Sequence, residues 1–136
     1  MKNRIIFICV HNAGRSQIAQ AFFNQLVPND LNWYAESAGV EPSDKINPTV
    51  IKVMKESGID ISSEKPKRLD FCTINTDDRL IGMGCDIHDS CPINLQDSID
   101  DWELEDPHNQ NIWKIKEIRD IIKDKVQSLI EELVNN

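Results

Sequence analysis

The feature that most constrains this sequence is an abrupt change of hydrophobic periodicity near its beginning. Residues 4–10 form an almost continuous apolar run, which is typical of a strand that is buried on both faces of a parallel sheet. A polar loop follows, and then Ile18, Phe22 and Leu26 recur at four-residue steps, which places them on one face of a helix. The sequence therefore predicts that the chain begins with a strand, a loop and a helix.

The same alternation continues along the chain. The predicted later elements are a strand over 33–38, a helix from Asn47-Pro48 to about Gly58, a strand over 80–84 and a long amphipathic helix after Asp106-Pro107. Strands that alternate with helices predict an α/β fold with a mostly parallel sheet, and we expect residues 1–136 to form a single domain. Ligands bind beyond the carboxyl ends of the strands in such sheets, which points to the loop over 9–16.

Charge and cysteine usage narrow the functional classes. The chain has 15 basic and 23 acidic residues, and this net charge of -8 argues against binding to nucleic acid or to an anionic membrane. The early apolar run is too short for a signal peptide or a membrane span, so we expect a cytoplasmic protein with reduced thiols. The cysteines are then better interpreted as reactive, metal-binding or core residues: Cys9, Cys72, Cys85 and Cys91.

The loop after the first strand has the composition of an anion site. A tight loop that enters a helix turns backbone N–H groups inward, and these groups, together with the helix N-terminus, favour both an oxyanion and a thiolate at Cys9. The planar guanidinium of Arg15 can bind two oxygens of a tetrahedral anion. In the alternative interpretation, Cys9 is merely a buried cysteine at a strand end and Arg15 a surface residue. The predicted substrate-binding residues are Val10, His11, Asn12, Ala13, Gly14, Arg15 and Ser16.

This loop resembles the phosphate-binding loop of the low-molecular-weight protein tyrosine phosphatases and of the arsenate reductases that share their fold. Later motifs occur in the order that both groups show: Ser37-Ala-Gly39, the stretch over 54–62, Met83-Gly-Cys85 and Asp106-Pro107. The resemblance implies a single three-layer domain in which helices flank a four-stranded parallel sheet. It also implies that Asp106 is the general acid that protonates the leaving oxygen. Taken without the resemblance, Asp106 could equally be one more solvated carboxylate of an acidic loop.

The later cysteines distinguish the two activities. The resemblance to the thioredoxin-coupled arsenate reductases implies a relay in which Cys9 attacks arsenic, Cys85 attacks Cys9 and Cys91 attacks Cys85. Thioredoxin would then reduce the Cys85–Cys91 disulfide. Two alternatives remain open, namely inert packing cysteines and a zinc site made of Cys85, His88 and Cys91 with His108 as the other candidate ligand.

The leading hypothesis is arsenate reduction with no metal and no tightly bound cofactor. The alternative is a small phosphatase that acts on phosphotyrosine or another phosphomonoester, and a third class is a non-catalytic oxyanion sensor. Gln20 replaces the acidic residue that contributes to a potassium site in some reductases of this family, so potassium dependence is doubtful. We also expect Cys72 to pack as a small hydrophobic residue and Trp113 to be a core or edge aromatic residue.

Overall fold

The computed structural model describes residues 2–84 and 98–136. Its elements are β1 (Asn3–Cys9), α1 (Arg15–Leu26), β2 (Trp33–Gly39), α2 (Pro48–Glu56), a 3-10 turn (Phe71–Thr73), β3 (Arg79–Gly82), β4 (Ile99–Asp101) and α3 (Ile112–Val134). The strands form one sheet in the order β2-β1-β3-β4, and all neighbouring strands are parallel. The expectation of a four-stranded parallel sheet is therefore confirmed. The hydrophobic pattern of the sequence did not predict β4, because only Ile99 of its three residues is buried.

The strands of the sheet contribute alternate side chains to two apolar clusters. Ile5, Phe7 and Ile81 pack with residues of α1, α2 and α3, and Ile6 and Ile8 point to the opposite face, where they meet Leu80, Ile99 and Leu69. The side chains of β1 from Ile5 to Cys9 are buried because an apolar cluster covers each face of the sheet, as the continuous apolar run predicted. Across the described ranges, no helix is both long and apolar enough to cross a membrane.

The helix boundaries follow from local capping chemistry. The Asn47 side chain accepts a hydrogen bond from the Thr49 N–H, and Pro48 occupies the first turn of α2, as predicted. Gly58 lies just beyond the end of α2 with a φ of +83°, a backbone conformation that favours glycine. Asn111 caps α3 through the Lys114 N–H. These caps fix where α2 and α3 begin, and α2 thereby comes to lie beside the loop that follows β1.

A partly buried ion pair ties β1 to the connection that precedes β3. Arg4 donates through Nε and Nη2 to the two carboxylate oxygens of Asp78, and Nη2 also donates to the Thr73 carbonyl at 2.8 Å. The Asp78 side chain is only 5% exposed, and it accepts a further hydrogen bond from the Asn75 N–H. Burial alone would raise the pKa of Asp78, but the hydrogen bonds from Arg4 and Asn75, together with the Arg4 charge, lower it below its usual value.

Replacing Asp78 by asparagine is therefore expected to destabilise the protein in a pH-dependent way. Because the pKa of Asp78 is lowered by folding, its contribution is present at neutral pH and is lost as the pH falls below about 4 towards the pKa of the folded state. We expect a loss of about 1–3 kcal/mol in the free energy of unfolding at pH 7, since a buried charge-assisted contact is removed. Urea unfolding at several pH values measures the difference.

The matched control is Glu132→Gln, because Glu132 pairs with Arg79 but is 52% exposed. An exposed ion pair contributes about 0–1 kcal/mol, so this variant should unfold almost like the wild type. A destabilisation by Asp78→Asn that stayed constant down to pH 3 would contradict the assignment.

Candidate active site

The loop between β1 and α1 is held from outside through its carbonyl groups. Each carbonyl from Cys9 to Gly14 accepts a hydrogen bond, and the respective donors are the backbone N–H groups of Val40, Glu41 and Ser43, the side-chain amide of Gln17, and the N–H groups of Asn47 and Ile18. In a trans peptide unit the N–H points opposite to the C=O. Carbonyls that point outward therefore turn the loop N–H groups toward the hollow that the loop encloses, as an anion site requires.

The close approach of β2 makes this arrangement possible. A Cβ atom on Gly39 would lie 2.6 Å from the Val10 carbonyl oxygen and 2.9 Å from the Asn12 nitrogen. Only a residue without a side chain lets the end of β2 lie this close to the loop. The Ser37-Ala-Gly39 motif of the sequence thus has a steric role at the site.

The Cys9 residue lies at the end of β1 with 3% of its surface exposed, and it lines the small cavity at the loop. The Asn12 N–H donates to the Cys9 sulfur at 3.1 Å, and the Ser16 hydroxyl lies 2.8 Å away. The Asn12 side-chain amide donates to the same Ser16 oxygen at 2.7 Å, so the Ser16 proton is left to point at the sulfur. These two contacts fix the position of the Cys9 sulfur, which is the candidate nucleophile.

Asn12 is the residue that organises the loop. It is fully buried and adopts a φ of 51°, in the left-handed region that asparagine tolerates better than most residues. Its side-chain oxygen accepts hydrogen bonds from the Gln17 amide and from the Lys67 N–H, both at 2.9 Å. Sequence reasoning did not identify either partner. Gln17 carries a weak signal, since it is a polar residue in the first turn of a buried helix, whereas the Lys67 contact depends on tertiary structure.

Arg15 is the first residue of α1 and is 4% exposed. Its Nη1 atom donates to the carbonyl of Met83 at 3.1 Å and to that of Leu104 at 2.9 Å. Its Nη2 atom lies 3.9 Å from a carboxylate oxygen of Asp106. The guanidinium is therefore held between the residue that follows β3 and the segment that follows β4.

Asp106 closes the site from the opposite side. Its side chain is 47% exposed, and its other oxygen accepts a hydrogen bond from the His108 N–H at 2.9 Å. The cavity between these groups has a volume of about 60 Å³ and is lined by Cys9, His11, Ala13, Gly14, Arg15, Ser43, Asn47, Asp106, Pro107 and His108. One buried water needs roughly 10–15 Å³ of such a cavity, so there is room for a small anion. The structure thus brings together Cys9, Arg15 and Asp106, and their catalytic roles remain predictions.

Other predicted residues are placed elsewhere. Cys85 and Cys91 lie outside the described residues, as does His88, and the predicted relay and the zinc alternative therefore lie outside them too. The expectation for Cys72 was wrong, because this residue is exposed in the 3-10 turn that the Asp70 side chain caps. The expectation for Trp113 was also wrong: it is 74% exposed at the start of α3, beneath the ammonium group of Lys116.

Comparisons with known proteins place this geometry in a family. Residues 4–136 match the family model described as low molecular weight phosphotyrosine protein phosphatase. An arsenate reductase from Staphylococcus xylosus is 36% identical over 124 residues, which are 90% of this chain and 92% of that protein. A glutaredoxin arsenate reductase from Synechocystis sp. is 30% identical over 131 residues, which are 96% of this chain and 98% of the relative.

Solved structures of both phosphatases and arsenate reductases share this fold. The thioredoxin-dependent arsenate reductase of Corynebacterium glutamicum superposes with a TM-score of 0.77 at 36% identity, over 97% of this chain and 62% of that chain. The family match extends over nearly the whole chain, and its range includes the loop from Cys9 to Ser16.

Proposed function

This chain belongs to the low molecular weight phosphotyrosine protein phosphatase family, and we propose that it is an arsenate reductase. The observation that carries the proposal is the Cys9 sulfur, which two donors hold at a small cavity that Arg15 and Asp106 also line. The relatives that are named arsenate reductases support it.

In the first step, the Cys9 thiolate attacks the arsenic atom of arsenate. A sulfur–arsenic bond forms, an arsenic–oxygen bond breaks, and Asp106 supplies the proton with which the oxygen leaves as water. Arg15 and the loop N–H groups bind the remaining oxygens, because charge-assisted hydrogen bonds hold a tetrahedral oxyanion in a fixed orientation.

Reduction needs two electrons, and we assign them to the later thiols. The Cys85 thiolate attacks the Cys9 sulfur, the sulfur–arsenic electron pair passes to arsenic, and arsenite leaves behind a Cys9–Cys85 disulfide. The Cys91 thiolate then attacks Cys85, which frees Cys9 and leaves a Cys85–Cys91 disulfide. Two thiols are thereby oxidised for each arsenate that is reduced.

We propose thioredoxin as the reductant of that disulfide, in line with the Corynebacterium glutamicum enzyme. The relative named a glutaredoxin arsenate reductase makes glutaredoxin with glutathione the competing reductant. A relay of reduced thiols fits the cytoplasm, which is the compartment we propose. We propose no role for potassium in the reaction. The residue at position 20 is an uncharged glutamine, and its side-chain oxygen accepts a hydrogen bond from the Ser37 hydroxyl.

The test is arsenate-dependent NADPH oxidation, with either thioredoxin and thioredoxin reductase or glutaredoxin, glutathione and glutathione reductase. We expect turnover with thioredoxin in the wild type and none with Cys91→Ser. The matched control is Cys72→Ser, because Cys72 is exposed and outside the site, and it should retain full turnover. Turnover by Cys91→Ser at the wild-type rate would contradict the relay, and turnover with glutaredoxin alone would contradict the choice of reductant.

The second candidate is a phosphomonoester phosphatase, which would share the first half of the mechanism. One observation favours it: a larger cavity of about 530 Å³ adjoins the anion site and shares Ala13, Ser43 and Asn47 with it. Such a cavity has room for the organic part of an ester. Cys91→Ser separates the candidates, because hydrolysis of a phenyl phosphate needs Cys9 and Asp106 but no relay thiol. A wild type that hydrolyses the ester efficiently and never reduces arsenate would favour the phosphatase.

A further inference from the structure

The Arg15 guanidinium is held by the backbone of two separate segments. Its Nη1 atom donates to the Met83 carbonyl, directly after β3, and to the Leu104 carbonyl, which lies between β4 and Asp106. Both acceptors are backbone oxygens, so the direction of the guanidinium depends on how closely the two segments approach each other.

Gly84 lies where the two segments meet. Its φ is +98°, and a Cβ atom built on it would lie 2.4 Å from the Leu104 carbonyl oxygen, 2.8 Å from the Leu104 nitrogen and 3.1 Å from Nη1 of Arg15. The first two contacts are with backbone, which cannot move aside as the end of a flexible side chain can. Any side chain at this position would separate the Met83 and Leu104 carbonyls or displace the guanidinium between them.

We propose that Gly84 is a positioning residue for the oxyanion clamp, which consists of the Arg15 guanidinium and the N–H groups of the loop between β1 and α1. Its lack of a side chain lets Met83 and Leu104 present their carbonyls to one nitrogen of Arg15, and this contact directs the guanidinium at the anion. Because Leu104 lies two residues before Asp106, the same contact also sets the distance between the clamp and the carboxylate of Asp106. The inference rests on the oxyanion site of the proposed function and is independent of the reduction step.

The test compares Gly84→Ala with Gly58→Ala. Both glycines have positive φ, so each alanine introduces similar backbone strain, but nothing lies within 4 Å of a Cβ atom at Gly58. The readout is alkylation of Cys9 by iodoacetamide, followed by mass spectrometry of the Cys9 peptide at increasing concentrations of inorganic phosphate. Phosphate that occupies the clamp protects Cys9, so the half-protecting concentration reports anion binding by the folded protein.

We expect Gly84→Ala to raise the half-protecting phosphate concentration about tenfold or more, the effect of weakening a charge-assisted contact, and Gly58→Ala to stay within about twofold of the wild type. Alkylation without phosphate should change little in Gly84→Ala, because Asn12 and Ser16 hold the sulfur independently. Equal half-protecting concentrations in the two variants would overturn the proposal, since strain alone would then explain both.

A second variant covers the case in which Gly84→Ala does not fold. Incorporating the α-hydroxy analogue of Glu105 converts the Leu104 carbonyl into an ester carbonyl, which is a weaker acceptor, and adds no atom near Gly84. We expect a severalfold rise in the half-protecting concentration, and an unchanged value would overturn the proposal. Arsenate reduction is not part of either readout. A protein that fails to reduce arsenate but shows these shifts would refute the proposed function and leave the role of Gly84 intact.

Discussion

Replacing Cys9 by serine is expected to abolish arsenate reduction while leaving the fold and phosphate binding intact. Hydrogen bonds from the Asn12 N–H and with Ser16 hold the sulfur at the anion cavity. A serine hydroxyl in the same place is a far poorer nucleophile and cannot serve as an electron donor. We expect turnover to fall by about four orders of magnitude or more, as happens when a covalent nucleophile is removed.

Phosphate should still bind to Cys9→Ser, because the loop carbonyls remain held from outside and Arg15 remains in place. The measurement is arsenite production with a full reductant supply, together with phosphate titration by calorimetry. Cys72→Ser serves again as the control for loss of a thiol elsewhere. Arsenite production by Cys9→Ser at more than a few per cent of the wild-type rate would show that another residue is the nucleophile.

Replacing Arg15 by lysine is expected to lower kcat/KM for arsenate about a hundredfold, although the positive charge is kept. One guanidinium nitrogen, Nη1, bonds two carbonyls, and the other, Nη2, lies 3.9 Å from Asp106 at the anion cavity. A lysine ammonium is a single point of charge and cannot occupy both positions. The loss of one preorganised oxyanion donor costs about 100–1,000-fold in rate in other enzymes.

Arg119→Lys is the matched control for this prediction. Arg119 also donates from Nη1 to a backbone carbonyl, that of Val53, but it ties α3 to α2 away from the anion cavity. The control should lose some thermal stability but keep full activity. Steady-state kinetics and the midpoint of thermal unfolding of both variants decide the matter. Equal activity of Arg15→Lys and the wild type would show that the guanidinium of Arg15 is not needed to bind the anion.

The parts of the fold that could be predicted are those that local sequence determines. The apolar run of β1, the stripe of α1 and the Asn47 cap are properties of neighbouring residues. The structure confirms them except at Leu26, which lies at the end of α1 and is exposed. β4 was missed as a pattern because it is an edge strand of three residues with one buried side chain. The resemblance supplied what the periodicity could not.

In the candidate site, too, the local contacts could be predicted from the sequence and the long-range contacts could not. The loop residues Cys9, Asn12 and Ser16 lie close together in the chain, and their mutual contacts follow from a tight loop between a strand and a helix. The partners that fix them come from distant segments, as Lys67 does for Asn12 and Leu104 does for Arg15. No periodicity or motif spacing encodes such contacts, because they depend on how the sheet brings the carboxyl ends of β1, β2 and β3 together.

The errors have physical causes too. Cys72 was expected to pack as an apolar residue, but Asp70 caps a 3-10 turn there, and the turn directs Cys72 to solvent. Trp113 lies on the exposed side of α3, where the ammonium group of Lys116 lies over its ring. Both residues have apolar side chains whose environment is decided by a turn or a helix face, and residue type alone did not reveal it.

The most direct test of the central claim is a single turnover without any reductant. Fully reduced protein is mixed with excess arsenate, arsenite is quantified, and free thiols are titrated after denaturation. The relay predicts one arsenite per chain and a fall from four thiols to two, with the disulfide mapped to Cys85 and Cys91. Four remaining thiols and no arsenite, in a protein that hydrolyses a phenyl phosphate, would contradict the account and identify the chain as a phosphatase.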